Sequence, residues 1–356
     1  MANLEFRYGS GKSADLCMTA YNYNENGSEV IVINGDNNKD IISKGMNGVP
    51  LLKREVDMEI TSRSSLFDQI YLESLRRKIS CVLVDNSHFL TTEQAEDLFF
   101  VANLLNIRVL TYGNRMLAGG IHSAGSIRLM ELSSDIKEID TEIDRIGKNS
   151  GAKLEFYYGA MNSSKTANLL QKNLGLTALG YNVKLLKASQ DRNALEIWSR
   201  IGLGARADLI VDKNTNIYGY ANNFAMEGVS WILGDEVQFN SEEQIDQLRK
   251  IVDDYGISIR CYGLKIDFLS HCFPGSKRLL EVSDTLVQMD TRCKCDRKAT
   301  FNARTVNGVY QTSGEVISID DGTVCSYKSL CPSCYINNVM VVDPRVSEIL
   351  MKVRKR

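Results

Sequence analysis

The second half of the chain switches between two periods of apolar and polar positions. Short apolar runs predict strands at 153–158, 183–186, 229–233 and 257–261. Helical spacing predicts one helix from near Lys165 and another over about 241–255, with a capping-box start. The first helix carries three leucines on one face, Leu169, Leu170 and Leu174. Strands that alternate with helices favour a parallel sheet, whose ligands bind at the carboxyl ends of the strands.

The chain repeats itself once. Residues 4–9, Leu-Glu-Phe-Arg-Tyr-Gly, return at 154–159 as Leu-Glu-Phe-Tyr-Tyr-Gly. Further pairs keep the same offset of 150 residues: Asp85 and Asp235, Phe89 and Phe239, Tyr112 and Tyr262, Gly125 and Gly275. Solenoid repeats have periods of about 20 to 50 residues, so this longer period indicates two copies of a whole domain. The copies join in the charged stretch near 136–151.

Composition narrows the class of protein. The 356 residues are 44% hydrophobic and carry 42 Lys and Arg against 44 Asp and Glu, which excludes a disordered chain and predicts two globular domains. A net charge of −2 gives no field that recruits nucleic acid or a membrane surface. No apolar run approaches the roughly 20 residues of a membrane span, and the start lacks a secretory signal, so we expect a cytoplasmic location.

A candidate phosphate loop lies between the first strand and the first helix of the second copy. It reads Gly159-Ala160-Met161-Asn162-Ser163-Ser164-Lys165-Thr166. In such loops backbone N–H groups and the helix N-terminus hold phosphates, lysine neutralises them, and the threonine hydroxyl ligates Mg²⁺. Ser164 replaces the second glycine of the pattern, at a cost of ~1 kcal/mol if its φ is positive. The motif alone leaves a plain strand-turn-helix open.

An acidic pair, Asp235 and Glu236, directly follows the apolar strand at 229–233. An acid at this position holds Mg²⁺ through water, and a neighbouring glutamate accepts a proton from a hydroxyl nucleophile. The pair alone leaves a solvated turn open.

Four of the nine cysteines form two close pairs, Cys293 with Cys295 and Cys331 with Cys334. In a chain expected to remain in a reducing compartment they indicate a tetrahedral structural zinc site, with free thiols or a redox pair as alternatives. Cys325 is a weaker fifth candidate. The remaining four are expected to be small buried apolar groups: Cys17, Cys81, Cys261 and Cys272.

Taken in order, these blocks resemble the type II thymidine kinases, particularly their bacterial and bacteriophage branch. The resemblance covers about 153–335, and the tight spacing of the first cysteine pair is familiar in that branch. It rests on the phosphate loop, Ser199-Arg200-Ile201-Gly202-Leu203, Asp235-Glu236 before Gln238-Phe239, Tyr262-Gly263-Leu264 through Asp267-Phe268, Phe273 with Gly275-Ser276, and Cys293-Lys294-Cys295 with Lys298-Ala299.

The resemblance implies an ATP- and Mg²⁺-dependent kinase acting on thymidine. It assigns Lys165 and Thr166 to ATP and magnesium, Asp235 to the metal, and Glu236 as the base for the 5′-hydroxyl. Arg192 matches the arginine that neutralises the transferring phosphate. Tyr327 belongs to a zinc-anchored lasso that closes over the base. The thymidine pocket would be lined by Met161, Phe239, Leu264, Phe268, Phe273 and Tyr327, for whose apolar members plain core packing is the alternative.

Departures from the family pattern bear on rate and specificity. Besides Ser164, Lys265-Ile266 replaces the usual Arg-Thr. A bulkier Ile266 beside the base pocket would alter substrate selection, and Lys265 loses the forked contact of an arginine. We therefore expect a slow enzyme or one with a shifted preference.

The first copy resembles the same kinase without its chemistry. Its loop, which ends in Gly11-Lys12-Ser13, is three residues shorter. Asn86 stands where the second copy has Glu236, and a neutral amide cannot take up a proton. No cysteine pair follows, so neither lasso nor zinc is expected there. Residual nucleotide binding through Lys12 stays open.

The sequence therefore predicts two tandem P-loop-type parallel-sheet α/β domains, the second with a small zinc-anchored lasso subdomain. The limits are 1–145 for the degenerate copy, 152–290 for the kinase domain, 291–340 for the lasso and 341–356 for a C-terminal tail, whose basic end at 352–356 is expected to be solvated. The predicted reaction transfers the ATP γ-phosphoryl to thymidine to give dTMP, with Mg²⁺ and structural Zn²⁺. We expect a homo-oligomer or an intrachain pseudo-dimer of the copies. The alternatives are a non-catalytic nucleotide-binding or assembly protein and a kinase for another deoxynucleoside.

Overall fold

The computed structural model describes most residues of the chain. They are 3–9, 12–25, 28–36, 38–44, 50–61, 63–116, 123–139, 151–189, 195–199, 204–295, 297–314 and 325–354. Two compact units are formed, 1–149 with 344–356 and 150–343, and each is described by itself. Within the described residues, every helix is too short or too polar to cross a membrane.

The first unit is built on a five-stranded parallel sheet in the order β2-β5-β6-β1-β7. Its strands are β1 (Leu4–Gly9), β2 (Glu29–Asn34), β5 (Ile79–Asp85), β6 (Arg108–Tyr112) and β7 (Asp135–Ile139). An antiparallel hairpin consists of β3 (Asp40–Lys44) and β4 (Pro50–Glu55). The helices are α1 (Lys12–Glu25), α2 (Leu66–Arg76), α3 (Thr92–Leu104) and α4 (Ala124–Leu132). Buried hydrophobic residues of α1, β2, β3, β5 and β6 form one core.

The second unit has a six-stranded parallel sheet in the order β12-β9-β13-β14-β8-β15. The strands are β8 (Leu154–Tyr158), β9 (Asn182–Ala188), β12 (Leu209–Val211), β13 (Val229–Asp235), β14 (Ser258–Gly263) and β15 (Thr285–Gln288). Two short strands, β10 (Glu196–Trp198) and β11 (Gly204–Arg206), pair antiparallel. The helices are α5 (Lys165–Ala178), α6 (Ala221–Met226), α7 (Glu242–Tyr255) and α8 (Pro274–Val282). The predicted parallel α/β arrangement is confirmed.

The two large sheets share one strand order. When strands are counted within each sheet and β12 is left out, both run second-third-fourth-first-fifth. Each first strand therefore lies inside its sheet, between the fourth and fifth strands. The loop after each first strand consequently opens at the centre of the carboxyl edge, beside the ends of its neighbours.

Local sequence explains where helix α7 begins. The side chain of Ser241 accepts a hydrogen bond from the backbone of Gln244, and the Gln244 side chain accepts one in return from the Ser241 backbone. This capping box starts α7 where the sequence predicts it. The predicted apolar face of α5 is narrower than expected, because Leu169 and Leu170 are buried while Leu174 is 60% exposed.

A smaller antiparallel sheet, β17-β16-β18, completes the second unit. Its strands are β16 (Phe301–Val306), β17 (Val309–Tyr310) and β18 (Cys325–Leu330), followed by helix α9 (Pro332–Asn338). These elements lie within the segment for which the sequence predicts a lasso.

The expected C-terminal tail is instead a helix, α10 (Pro344–Arg354), that belongs to the first unit. Val346, Ile349 and Leu350 are buried because their spacing places them on one helical face. Arg345 pairs with Glu96 and Asp97 of α3 at 2.8 and 2.6 Å. Most of the segment expected to be a tail is therefore a helix of the first unit, because of this apolar spacing.

Candidate functional site

The loop after β8 turns tightly into α5. Gly159 is required there, since a Cβ atom would come within 2.5 Å of Ser163 Oγ and 2.8 Å of Met289 O. Asn162 and Ser164 both adopt left-handed backbone, with φ of 65° and 57°. Ser164 thus has the positive φ for which the sequence assigns a cost of ~1 kcal/mol. This loop holds side chains in positions that glycine would take without strain.

The Lys165 side chain lies over its own loop. Its Nζ donates to the carbonyls of Gly159 and Ala160 at 3.3 and 2.9 Å and to Ser163 Oγ at 3.1 Å. An ammonium group beside a helix N-terminus suits an anionic ligand. Seven consecutive residues, 161–167, line a cleft of about 320 Å³ with Glu236 and Leu264.

Thr166, Asp235 and Glu236 meet at the end of β13. Thr166 Oγ1 lies 3.4 Å from both carboxylate oxygens of Asp235. Burial, with the adjacent Glu236 carboxylate, raises the pKa of Asp235 well above its usual range. A buried carboxylate and a hydroxyl are oxygen donors of the kind that Mg²⁺ takes, and a cation would favour the ionised acid. The donor set fits magnesium.

Glu236 is held in place by Gln238. Glu236 has a φ of 53°, and the fully buried Gln238 donates its side-chain amide to the Glu236 carboxylate. Gln238 Oε1 accepts from Leu264 N at 3.1 Å, so the amide links the end of β13 to the chain after β14. Gly263 leaves room for this amide, since a Cβ there would lie 2.6 Å from Gln238 Oε1.

A second, more apolar cavity of about 240 Å³ lies on the other side of Glu236. Phe239 and Phe273 meet edge to face in its wall, with ring centroids 5.6 Å apart. Polar groups of Gln238, Asp267 and Asn302 also reach it. The structure brings all six predicted pocket residues to this one cavity: Met161, Phe239, Leu264, Phe268, Phe273 and Tyr327.

The two residues after Leu264, Lys265 and Ile266, are those that depart from the family pattern. Ile266 is 1% exposed and, with Lys265 and Tyr158, lines a separate crevice. Its carbonyl accepts from Asn302 Nδ2 at 2.9 Å. Ile266 is not among the residues that line the apolar cavity, which corrects the expectation that it stands beside the pocket, because its sec-butyl side chain is buried in the core.

The four cysteines predicted to bind metal form one cluster. The sulfurs of Cys293, Cys295, Cys331 and Cys334 all lie within 4.8 Å of one another. The Cys295 sulfur lies 3.5 Å from that of Cys331 and 3.7 Å from that of Cys334. Zn–S bonds of about 2.3 Å in a tetrahedron separate sulfurs by ~3.8 Å. The cluster therefore fits zinc.

The surroundings of two of the sulfurs bear on the thiolate form that a metal ligand needs. The Arg297 guanidinium donates to Cys295 Sγ at 3.2 Å and lowers the pKa of that thiol to about 6. Burial raises the pKa of Cys331 to about 12, so its thiolate needs a cation close by. The cluster also supports the cavity wall. Tyr335, which follows Cys334 in α9, donates its hydroxyl to Phe268 O at 2.6 Å.

The first unit keeps part of the same arrangement. Lys12 Nζ donates to Gly9 O at 2.7 Å, and Ser13 donates to the buried Asp85 carboxylate at 2.8 Å. Asn86 has a φ of 47°, and its amide donates to Asn34 and Asp36. The backbone pose matches that of Glu236, whereas the residue present has no carboxylate.

Sequence reasoning missed several residues. Asn302 and Ser329 contact the phosphate loop from 141 and 168 residues away, and no local pattern marks them. Gln238 had a signal, since it belongs to the quoted Asp-Glu block. Trp198 also lines the phosphate cleft. Arg192, assigned to the transferring phosphate, lies outside the described residues, as do residues 200–203.

Fold and site together define a parallel α/β protein with a tight loop at a helix N-terminus, an acidic strand end and a cysteine cluster. The thymidine kinase family model matches residues 2–146 and 152–335, so the chain belongs to the thymidine kinase family.

Three relatives show how much of the chain the similarity covers. Thymidine kinase of Aliivibrio fischeri is 38% identical over 188 residues, which is 52% of this chain and 96% of that protein. The enzyme of Novosphingobium aromaticivorans is 40% identical over 156 residues, 43% of this chain and 81% of its own. Thymidine kinase of Enterobacteria phage T4 is 36% identical over 183 residues, 51% of this chain and 93% of its own.

Proposed function

We propose that this protein is an ATP-dependent thymidine kinase whose second unit transfers the γ-phosphoryl group to the 5′-hydroxyl of thymidine, giving dTMP and ADP. One observation carries the proposal. Glu236 lines both the phosphate cleft and the apolar cavity, as Met161 and Leu264 also do. A carboxylate at this junction is placed to reach a hydroxyl that meets a terminal phosphate.

The chain's own groups would divide the work. Glu236 would accept the proton of the 5′-hydroxyl while the hydroxyl oxygen bonds to the γ-phosphorus and the bond between that phosphorus and ADP breaks. Lys165 neutralises the phosphates, and Arg192 is assigned the same task by the family resemblance. Thr166 and Asp235 would hold magnesium, which supplies positive charge to the phosphate oxygens when bound. Most of the rate enhancement then comes from positioning and charge neutralisation.

The apolar cavity suits a flat pyrimidine. Aromatic walls bury the base faces, while the main chain and nearby amides are available for its edges. The cysteine cluster would hold a structural zinc ion, and Tyr335 transmits its position to the wall residue Phe268.

We infer that the chain arose by tandem duplication and that its first copy is degenerate. The family model matches two successive segments, and both sheets share one strand order. The first copy has Asn86 in the place of the base, so the second copy alone would catalyse transfer. The homo-oligomeric state and the cytoplasmic location stay predictions.

The test is a transfer assay with γ-labelled ATP, magnesium and each of the four deoxynucleosides. We expect labelled dTMP and at least tenfold lower kcat/KM for the other three. Tight ATP binding without transfer to any nucleoside would support a non-catalytic nucleotide-binding protein and refute the kinase. Preferred labelling of another nucleoside would refute thymidine as the substrate.

A further inference from the structure

Both backbone polar groups of Met161 are bound by side chains from the small antiparallel sheet. Met161 N donates to Asn302 Oδ1 at 2.8 Å, and Met161 O accepts from Ser329 Oγ at 2.5 Å. Asn302 on β16 and Ser329 on β18 are directly paired across the two strands. One cross-strand pair therefore holds a single peptide segment of the phosphate loop.

Asn302 also binds a third place. It is 3% exposed, and its Nδ2 donates to Ile266 O at 2.9 Å. Ile266 follows the cavity residue Leu264 by two positions. The buried amide thus joins the phosphate loop to the chain segment that forms the apolar cavity, with both ends of the amide used.

Met161 itself takes part in both sites. Its side chain lines the phosphate cleft and the apolar cavity. The next residues of the loop carry the positive φ angles of Asn162 and Ser164, a backbone that persists only when its surroundings hold it. The contacts of Asn302 and Ser329 are part of that support.

We propose that Asn302 and Ser329 are positioning residues that fix the phosphate loop against the nucleoside cavity, so that binding of one substrate prepares the site of the other. This inference rests on the proposed function for the identity of the two substrates. Filling the cavity orders Met161 and Asn302, and the loop that receives the ATP phosphates is then already in place.

The experiment measures the Kd of Mg-ATP by calorimetry on the full chain, with and without saturating 5′-deoxythymidine, a thymidine analogue that lacks the accepting hydroxyl and therefore prevents turnover. Wild type should bind Mg-ATP several-fold more tightly with this analogue present. Asn302→Ala leaves a buried N–H without its partner, which should weaken Mg-ATP binding on the order of tenfold and bring the ratio of the two Kd values close to one. Ser329→Ala should weaken binding about threefold, and Ser329→Thr should restore it.

Ser326→Ala is the matched control, because the exposed Ser326 bonds Thr305 across the same two strands without reaching the loop. It should leave both Kd values at the wild-type level. If Asn302→Ala does not fold, Ser329→Ala still decides the matter. Unchanged ATP affinity in Ser329→Ala, or an equal loss in Ser326→Ala, would overturn the inference. Failure of the kinase proposal would appear separately, as absence of phosphoryl transfer by the wild-type chain.

Discussion

The ends of β5 and β13 show the same backbone with different chemistry. Both strands end in a buried aspartate that accepts a hydrogen bond from a hydroxyl in the helix after the first strand of its sheet, from Ser13 to Asp85 and from Thr166 to Asp235. The next residue is left-handed in both units. Yet Asn86 is tied to side chains of its own unit, whereas Glu236 faces two cavities. The backbone of this strand end is therefore the same whether the residue after the aspartate is glutamate or asparagine.

The lysines of the two phosphate-loop positions are expected to differ strongly between the units. Lys165→Ala removes the cation of the phosphate cleft and should lower kcat for thymidine phosphorylation about 100-fold. Lys12→Ala, the same change in the first unit, should leave kcat within twofold. Steady-state assays of both full-length variants measure this. Equal losses would show that both units take part in the reaction.

The cysteine cluster of the second unit is the next difference between the units. Cys295→Ser should lower zinc affinity at least tenfold, because a thiolate ligand beside Arg297 is lost. Atomic absorption after dialysis should find about one zinc per wild-type chain and much less in the variant. Cys325→Ser, a change in the adjacent strand but outside the cluster, should keep the zinc. Retention of the metal by Cys295→Ser would contradict the assigned ligand set.

Helix α10 makes the stability of the first unit depend on the C-terminus. Ile349→Ala should lower the free energy of unfolding of that unit by about 2–5 kcal/mol, since a buried side chain leaves a cavity. Met351→Ala, 62% exposed on the same helix, should change it by less than about 0.5 kcal/mol. Hydrogen exchange in α2 and α3 is the readout. Unaltered protection in Ile349→Ala would mean that α10 does not stabilise the first unit.

The smallest effect concerns Ser164. Ser164→Gly relieves the positive φ at 57° and should raise the free energy of unfolding of the second unit by about 0.5–1 kcal/mol. Gln171→Gly, an exposed position inside α5, should lower it by a similar amount. Chemical denaturation curves compare the two. A destabilised Ser164→Gly variant would show that the loop gains from the serine.

The sequence was enough to predict the part of the site whose residues directly follow strands of the parallel sheet. Lys165, Thr166 and Asp235 could be placed together because their strands end at one edge of a parallel sheet. It did not suffice for Asn302 and Ser329, whose contacts with Met161 arise only when β16 and β18 pack on the loop. For Ile266, the order of residues gave no information on whether the side chain turns to the cavity or to the core.

The most direct test of the central claim is transfer of labelled phosphoryl from ATP to thymidine by two full-length variants. Glu236→Gln removes the base and should lower kcat by about 10²–10⁴-fold with zinc content unchanged. Asn86→Glu adds a carboxylate to the first unit and should leave kcat at the wild-type level. Full activity of Glu236→Gln would contradict the role of Glu236 as the base. A rise of kcat in Asn86→Glu would contradict the assignment of transfer to the second unit alone.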